Sequence, residues 1–185
     1  MYPVLRRGER LELRELQPTD TDAVFAIYGS ELATAHLTFE PRTLDDVRDI
    51  VARARTAART EPRTEYVLAV TDRTTLIGVG RLADDPHQPR AATLGFALNP
   101  ASWGTGLGTE TVRLLLALAF EDLALHRVWG ARAPANEASA RTMARAGMTE
   151  EGRIREHVHK RGAWRDSVVH AMLEREWGAT IPGER

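Results

Sequence analysis

Leu11 and Leu13 alternate with polar neighbours, as a half-buried first strand requires. Thr19-Asp20-Thr21-Asp22 then supplies an N-cap with acidic residues in a first helical turn, so a helix is expected to run to about Gly29. Ala33 to Pro41 reads as a loop. Thr43 caps a second helix, whose Val47, Ile50, Val51 and Ala54 fall on one stripe and which ends before Pro62. From Tyr66 the period changes. Tyr66 to Val70 and Leu76 to Gly80 are short β-type runs joined across Thr71-Asp72-Arg73-Thr74, a hairpin.

A polar stretch, Asp84 to Pro89, leads to another strand, Thr93 to Leu98, closed by Asn99-Pro100. A glycine-rich segment follows, then a long helix with Val112, Leu115, Leu116, Ala119 and Leu123 at helical spacing. That face is broad enough to need a sheet to cover. Arg127 to Ala133 is strand-like, Glu137 to Ala146 helix-like, and Gly147 fits the left-handed residue that ends a helix. Thr149 onward and Ser167 to Leu173 form an antiparallel pair with an irregular connection. The order is βααβββαβαββ, an α+β pattern without repeat or linker. One domain is expected over residues 1–178, with 179–185 a frayed tail.

Composition narrows what such a domain can do. Of 185 residues, 43% are hydrophobic and 28% charged, enough for a single core. A net charge of −1 gives no overall field for nucleic acid or an anionic membrane. The absence of cysteine removes disulfides, thiolate metal sites and a thiol nucleophile. Met1 to Leu16 has no continuous apolar stretch, so a secretory signal is not expected and the cytoplasm is. Leu114 to Phe120 is the longest apolar run, far short of the ~20 residues that span a bilayer.

Gly104, Gly106 and Gly108, between a strand and a helix, allow backbone N–H groups to converge on an anion at a helix N-terminus, a pyrophosphate by preference. A tight turn alone explains the same pattern equally well. Two nucleotide folds are disfavoured. No G-x-x-x-x-G-K-[ST] exists, and G-x-G-x-G is one residue short of the dinucleotide fingerprint, with no acidic residue in Gly130-Ala131-Arg132-Ala133 to hold a ribose.

Leu94 to Pro100, Trp103 to Glu110, Asn136-Glu137-Ala138-Ser139 and Ala146-Gly147-Met148 together resemble the GNAT superfamily of acetyl-CoA-dependent N-acetyltransferases. Within it the chain is most similar to the ribosomal-protein-alanine branch, over nearly its whole length. The resemblance implies a mixed, mostly antiparallel sheet splayed between its fourth and fifth strands, with helices on both faces and acetyl-CoA in the gap. It further implies that Phe96 and Leu98 pair through their backbones with the pantetheine arm. The amides of Gly104, Thr105, Gly106, Leu107, Gly108 and Thr109 would receive the pyrophosphate, Asn136 would hold the coenzyme arm, and Ser139 would protonate the leaving thiolate. Trp103 stands where the superfamily commonly has Arg or Gln, which touches a side-chain contact and not the amide cradle. Bare spacing offers a rival reading in which Asn136 caps its helix and Ser139 lies in the first turn.

The implied reaction moves an acetyl group to a primary amine, on a protein N-terminus or on an antibiotic or polyamine; a non-catalytic acetyl-CoA sensor is the alternative from another class. Glu40, His87, Glu156 and His157 are candidates for a base. His157 and His159 share a strand face without a third ligand, so no metal is expected. Arg153, Arg155, Lys160, Arg161 and Arg165 form a local basic cluster, read first as a solvated strand pair and second as a contact for an acidic substrate, the coenzyme phosphate or RNA. Trp164 is read as a packing anchor or dimer contact, which leaves a homodimer open.

Overall fold

The structure, a computed structural model, describes residues 1–180. Eight strands form one sheet: β1 (Leu5–Arg7), β2 (Glu12–Glu15), β3 (Glu65–Thr71), β4 (Leu76–Asp84), β5 (Ala91–Leu98), β6 (Arg127–Arg132), β7 (Thr149–Lys160) and β8 (Ala163–Leu173). Their spatial order is β1-β2-β3-β4-β5-β6-β8-β7. Every neighbouring pair is antiparallel except β5 and β6. The helices are α1 (Thr21–Tyr28), α2 (Glu31–Thr34), α3 (Leu44–Ala57), α4 (Leu107–Ala117), α5 (Glu137–Arg145) and α6 (Glu174–Thr180).

Strand alternation divides the core in two. Leu68, Val70, Leu82, Leu94 and Leu98 pack with Val112, Leu115 and Leu116 of α4 and Met143 of α5 on one face. Ala69 and Val79 pack with Val24 of α1 and Val47, Val51 and Ala54 of α3 on the other. Helices therefore cover both faces, as the resemblance implies. Gly80 lets α4 lie close, because a Cβ there would come within 3.1 Å of the Leu115 methyls. Thr43 caps α3 as expected, its Oγ1 accepting from Asp46 N at 3.1 Å. Asp20 does not cap α1 with its side chain: its carboxylate receives the Arg14 guanidinium at 2.7 and 2.8 Å and Gln17 N at 2.7 Å, tying β2 to the helix entrance.

Five features depart from the sequence pattern. β1 is too short to show a period, and α2 is one turn that overlaps the start of the expected loop at Ala33 and Thr34. The long helix changes to π geometry over Leu118–Asp122. α6 follows β8 directly and runs through Gly178 to Thr180, while residues 181–185, most of the expected tail, lie outside the described residues. Trp164 is 62% exposed on β8, its ring tilted against that of His159 with centroids 5.0 Å apart, so it anchors no core packing among the described residues.

Candidate active site

β5 and β6 pair only where they begin, Ala91 with Arg127 through Thr93 with Trp129. Gly130 permits even this approach, since a Cβ there would sit 3.0 Å from the Leu94 carbonyl oxygen. Beyond Thr93 the strands diverge, which is the splay expected between the fourth and fifth strands counted from Leu11. Asn99 N donates to Ile77 O at 2.8 Å, so odd-numbered residues of β5 bond to β4. N–H and C=O of one residue point to the same side of a strand, so those of Phe96 and Leu98 face the gap. An extended amide-bearing chain entering there meets a ready-made strand edge.

The glycine segment stands at the open end of this gap. Pro100–Ser102 forms a single 3-10 turn, Thr105 Oγ1 donates to Ser102 O at 2.8 Å, and Gly104 and Gly106 take φ of +76° and +84°. L side chains resist that conformation. Gly106 is the N-cap of α4, so Leu107 and Gly108 belong to its first turn, where amides lack intrahelical partners. Thr109 N donates to Gly106 O at 3.1 Å, so that amide, unlike those of residues 104–108, already has a partner within the turn. Gly108 has a packing role as well: a Cβ would lie 3.3 Å from Thr142 Cγ2 of α5. Trp103 turns its indole back, Nε1 donating to Leu98 O at 3.0 Å, and the carbonyl keeps its second lone pair toward the gap.

The pattern gave no signal for what holds this loop. Glu110 accepts from Arg10 N at 2.7 Å, Leu11 N at 2.9 Å and Arg10 Nε at 3.1 Å, and Arg10 Nη1 donates to Thr105 O at 3.0 Å. The β1–β2 turn thus buckles the loop from behind. Gly8 makes room for the carboxylate, since a Cβ there would fall 2.7 Å from Glu110 Oε1. A recess of about 410 Å³ beside the loop is lined by Arg6, Arg7, Arg10 and Arg113 together with Glu9 and Glu110, and three of these arginines are ion-paired.

Across the gap, Asn136 is the N-cap of α5 and its Oδ1 accepts from Ser139 N at 3.0 Å. The cap uses the side-chain oxygen alone, leaving the amide N–H groups free to donate to a second partner. The Ser139 hydroxyl has no partner among the described residues and is half-buried. Arg132 secures the turn before α5. Its Nη1 donates to Pro134 O at 2.9 Å, Nη2 to Glu150 at 3.2 Å and Nε to His170 Nε2 at 3.1 Å. His170 is 2% exposed and its Nδ1 has no partner among the described residues; burial, then the Arg132 charge, pushes its pKa below the usual histidine value. It is neutral here, accepting at Nε2.

The candidate bases separate. His87 lies in the β4–β5 turn, at the closed end of the β5–β6 pair, remote from the glycine loop. Glu40 accepts from Arg161 N at 3.3 Å, and Glu156 occupies a bulge of β7 at φ +50° beside exposed His157. Among the described residues no group of three or more His, Cys, Asp or Glu side chains gathers, and no helix is long and apolar enough to cross a membrane.

A splayed β5–β6 pair with two helix N-termini at its open end characterises this α+β domain. Residues 10–149 match the acetyltransferase (GNAT) domain family, and the chain belongs to it. YoaA of Bacillus subtilis strain 168, an uncharacterized N-acetyltransferase, is 24% identical over 94% of this chain and 98% of its own. The [ribosomal protein uS5]-alanine N-acetyltransferase of Escherichia coli K12 is 28% identical over 47% of this chain and 45% of its own. The spermidine N-acetyltransferase of Vibrio cholerae, solved with CoA and spermine, superposes with a TM-score of 0.80 at 20% identity, over 92% of this chain and 99% of that one. The protein is an N-acetyltransferase of this family.

Proposed function

We propose that residues 1–178 act as one domain that transfers acetyl from acetyl-CoA directly to the primary amine of a peptide N-terminus. The observation that carries this reading is the unpaired edge of β5 leading into the glycine cradle. Phe96 and Leu98 offer backbone groups to the amides of pantetheine. Residues 104–108 offer unpaired N–H groups and a helix dipole to the pyrophosphate. Asn136 is the residue proposed to donate to the arm from the β6 side.

Transfer needs no covalent enzyme intermediate, and the chain has no cysteine to form one. A neutral amine attacks the thioester carbonyl carbon, the C–S bond breaks, the amine nitrogen loses a proton and the sulfur gains one. Leu98 N–H, facing the gap, stabilises the negative charge developing on the carbonyl oxygen. Ser139 Oγ, free of other bonds, delivers the proton to sulfur. Holding the amine against the thioester supplies much of the acceleration.

A polyamine acceptor is the second reading, supported by the structural likeness to the spermidine enzyme. The test is a CoA-release assay over N-terminal peptides and polyamines, with acetyl-CoA affinity measured by calorimetry. Acetyl-CoA binding with turnover of peptide amines supports the proposal. Binding without turnover on any acceptor returns the fold to a sensor.

A further inference from the structure

The basic cluster on the β7–β8 hairpin divides according to what neutralises each member. Arg153 Nε donates to Asp166 at 2.7 Å, and the Arg161 guanidinium to Glu31 at 2.5 Å. Lys160 Nζ donates to the carbonyls of Thr34, Leu37 and Ala35 at 2.6, 3.2 and 3.3 Å, clamping the α2–α3 loop onto the hairpin. Arg155 is exposed and in no ion pair among the described residues, whereas Arg165 is half-buried. Its Nη1 donates to His36 O at 3.2 Å, its Nε is buried without a partner, and no carboxylate pairs with it among the described residues. The acidic groups nearby are committed elsewhere, since Glu31 and Glu40 both turn to Arg161. Burial lowers the Arg165 pKa with no acidic neighbour to offset it, and Arg165 in turn helps to lower Lys160. The buried Nε is out of a ligand's reach, but Nη2 is neither bonded among the described residues nor buried, and a partner there would offset part of the desolvation of this half-buried guanidinium.

Its place in the fold says what repays it. Val168 pairs with Arg132, the last residue of β6, and Arg165 lies three residues further along β8, roughly 10 Å past the end of β6. That is the end at which β5 and β6 diverge. The carbonyl it meets, His36 O, belongs to the loop that joins α2 to α3, on the sheet face opposite α4 and α5. With the coenzyme's phosphates on the α4 side, this other face is left for the amine, and Arg165 lies on it at the open end of the gap.

We infer that Arg165 binds a carboxylate carried by the acceptor close to its amino group. The acceptor is then an acidic peptide N-terminus or a free amino acid, and polyamines are rejected by the same charge. The inference rests on the acetyl-transfer reading above and narrows it. A guanidinium–carboxylate contact distinguishes such an acceptor from its neutral amide by about tenfold to a hundredfold.

The experiment measures kcat/KM on matched acceptors: peptides with Glu or Gln at the second and third positions, a free amino acid and its amide, and spermidine. The wild-type protein should favour the carboxylate member of a pair at least tenfold, and the pair that shows it tells peptide from free amino acid. In Arg165→Gln the preference should collapse toward one through KM, with acetyl-CoA affinity retained, whereas Arg165→Lys should restore part of it. A purely structural arginine would lower turnover of both members equally. If Arg165→Gln does not fold, the wild-type ratio alone decides: equal turnover within each pair, or preference for spermidine, overturns the inference while leaving acetyl transfer intact. Absence of acetyl-CoA binding and of all turnover overturns the acetyl-transfer reading itself.

Discussion

Removing the Glu110 carboxylate should loosen the glycine loop and lower stability by a predictable amount. In Glu110→Ala the amides of Arg10 and Leu11 lose their acceptor. Hydrogen bonds to a charged group contribute about 1.5–3 kcal/mol each, but water can reach the exposed Arg10, whereas Leu11 is 0% exposed. The Arg10 side chain is half-exposed, so its ion pair adds less than about 1 kcal/mol. A net loss of about 2–4 kcal/mol follows, against a total stability of about 5–15 kcal/mol. For a chain of this size that lowers Tm by about 5–15 °C. Glu110→Gln keeps one oxygen for both amides and should lose less than half as much. Circular dichroism melts, with urea titration at 25 °C, measure both. Equal losses in the two variants, or a fall below about 2 °C in Glu110→Ala, would refute the buckle as a source of stability.

The remaining predictions concern coenzyme binding, chemistry and pH. Gly106→Val puts a β-branched residue at φ +84° beside Arg10 Nη2, and should abolish acetyl-CoA binding in calorimetry, while a cooperative melt, lowered by that local strain, shows the fold intact; unchanged affinity removes the cradle. Asn136→Ala should cost about 1 kcal/mol of stability through the lost cap and, separately, weaken acetyl-CoA binding; unchanged affinity leaves the cap as its whole role. Ser139→Ala should slow single-turnover chemistry by roughly 10²–10⁴-fold at saturating acetyl-CoA, and a wild-type rate would assign the proton to water. His170 binds its proton less readily folded than unfolded, so the unfolded chain takes up more protons as pH falls below about 6.5, and stability should fall across that range toward the lowered folded pKa. His170→Gln should flatten this segment in urea melts at pH 5 and 7; an unchanged slope would place its origin elsewhere.

Much of the domain was legible in local pattern. The alternation of Tyr66 to Val70, the α3 stripe capped by Thr43, and Gly104 and Gly106 between strand and helix each depend on neighbours within a few residues. Their geometry was readable for that reason. Pattern also placed Asn136 at a helix start, where it does cap. It could not show that the cap spends only one of the side chain's two polar ends.

What tertiary structure decided joins residues far apart in the chain. Arg10 reaches Glu110 and Thr105 across about a hundred positions, because β1–β2 returns beside α4. Arg132, Glu150 and His170 meet only because β8 lies between β6 and β7, which no local period encodes. The basic cluster is the sharpest case. Five cations in one segment look alike as sequence, and folding brings Asp166 to Arg153, Glu31 to Arg161 and three carbonyls to Lys160, leaves Arg155 exposed, and half-buries Arg165 without a carboxylate partner among the described residues. Charge type is a property of the residue. Whether that charge is satisfied depends on which distant groups the fold brings within about 3 Å of it, and that was decided by the packing of the β7–β8 hairpin against the α2–α3 loop.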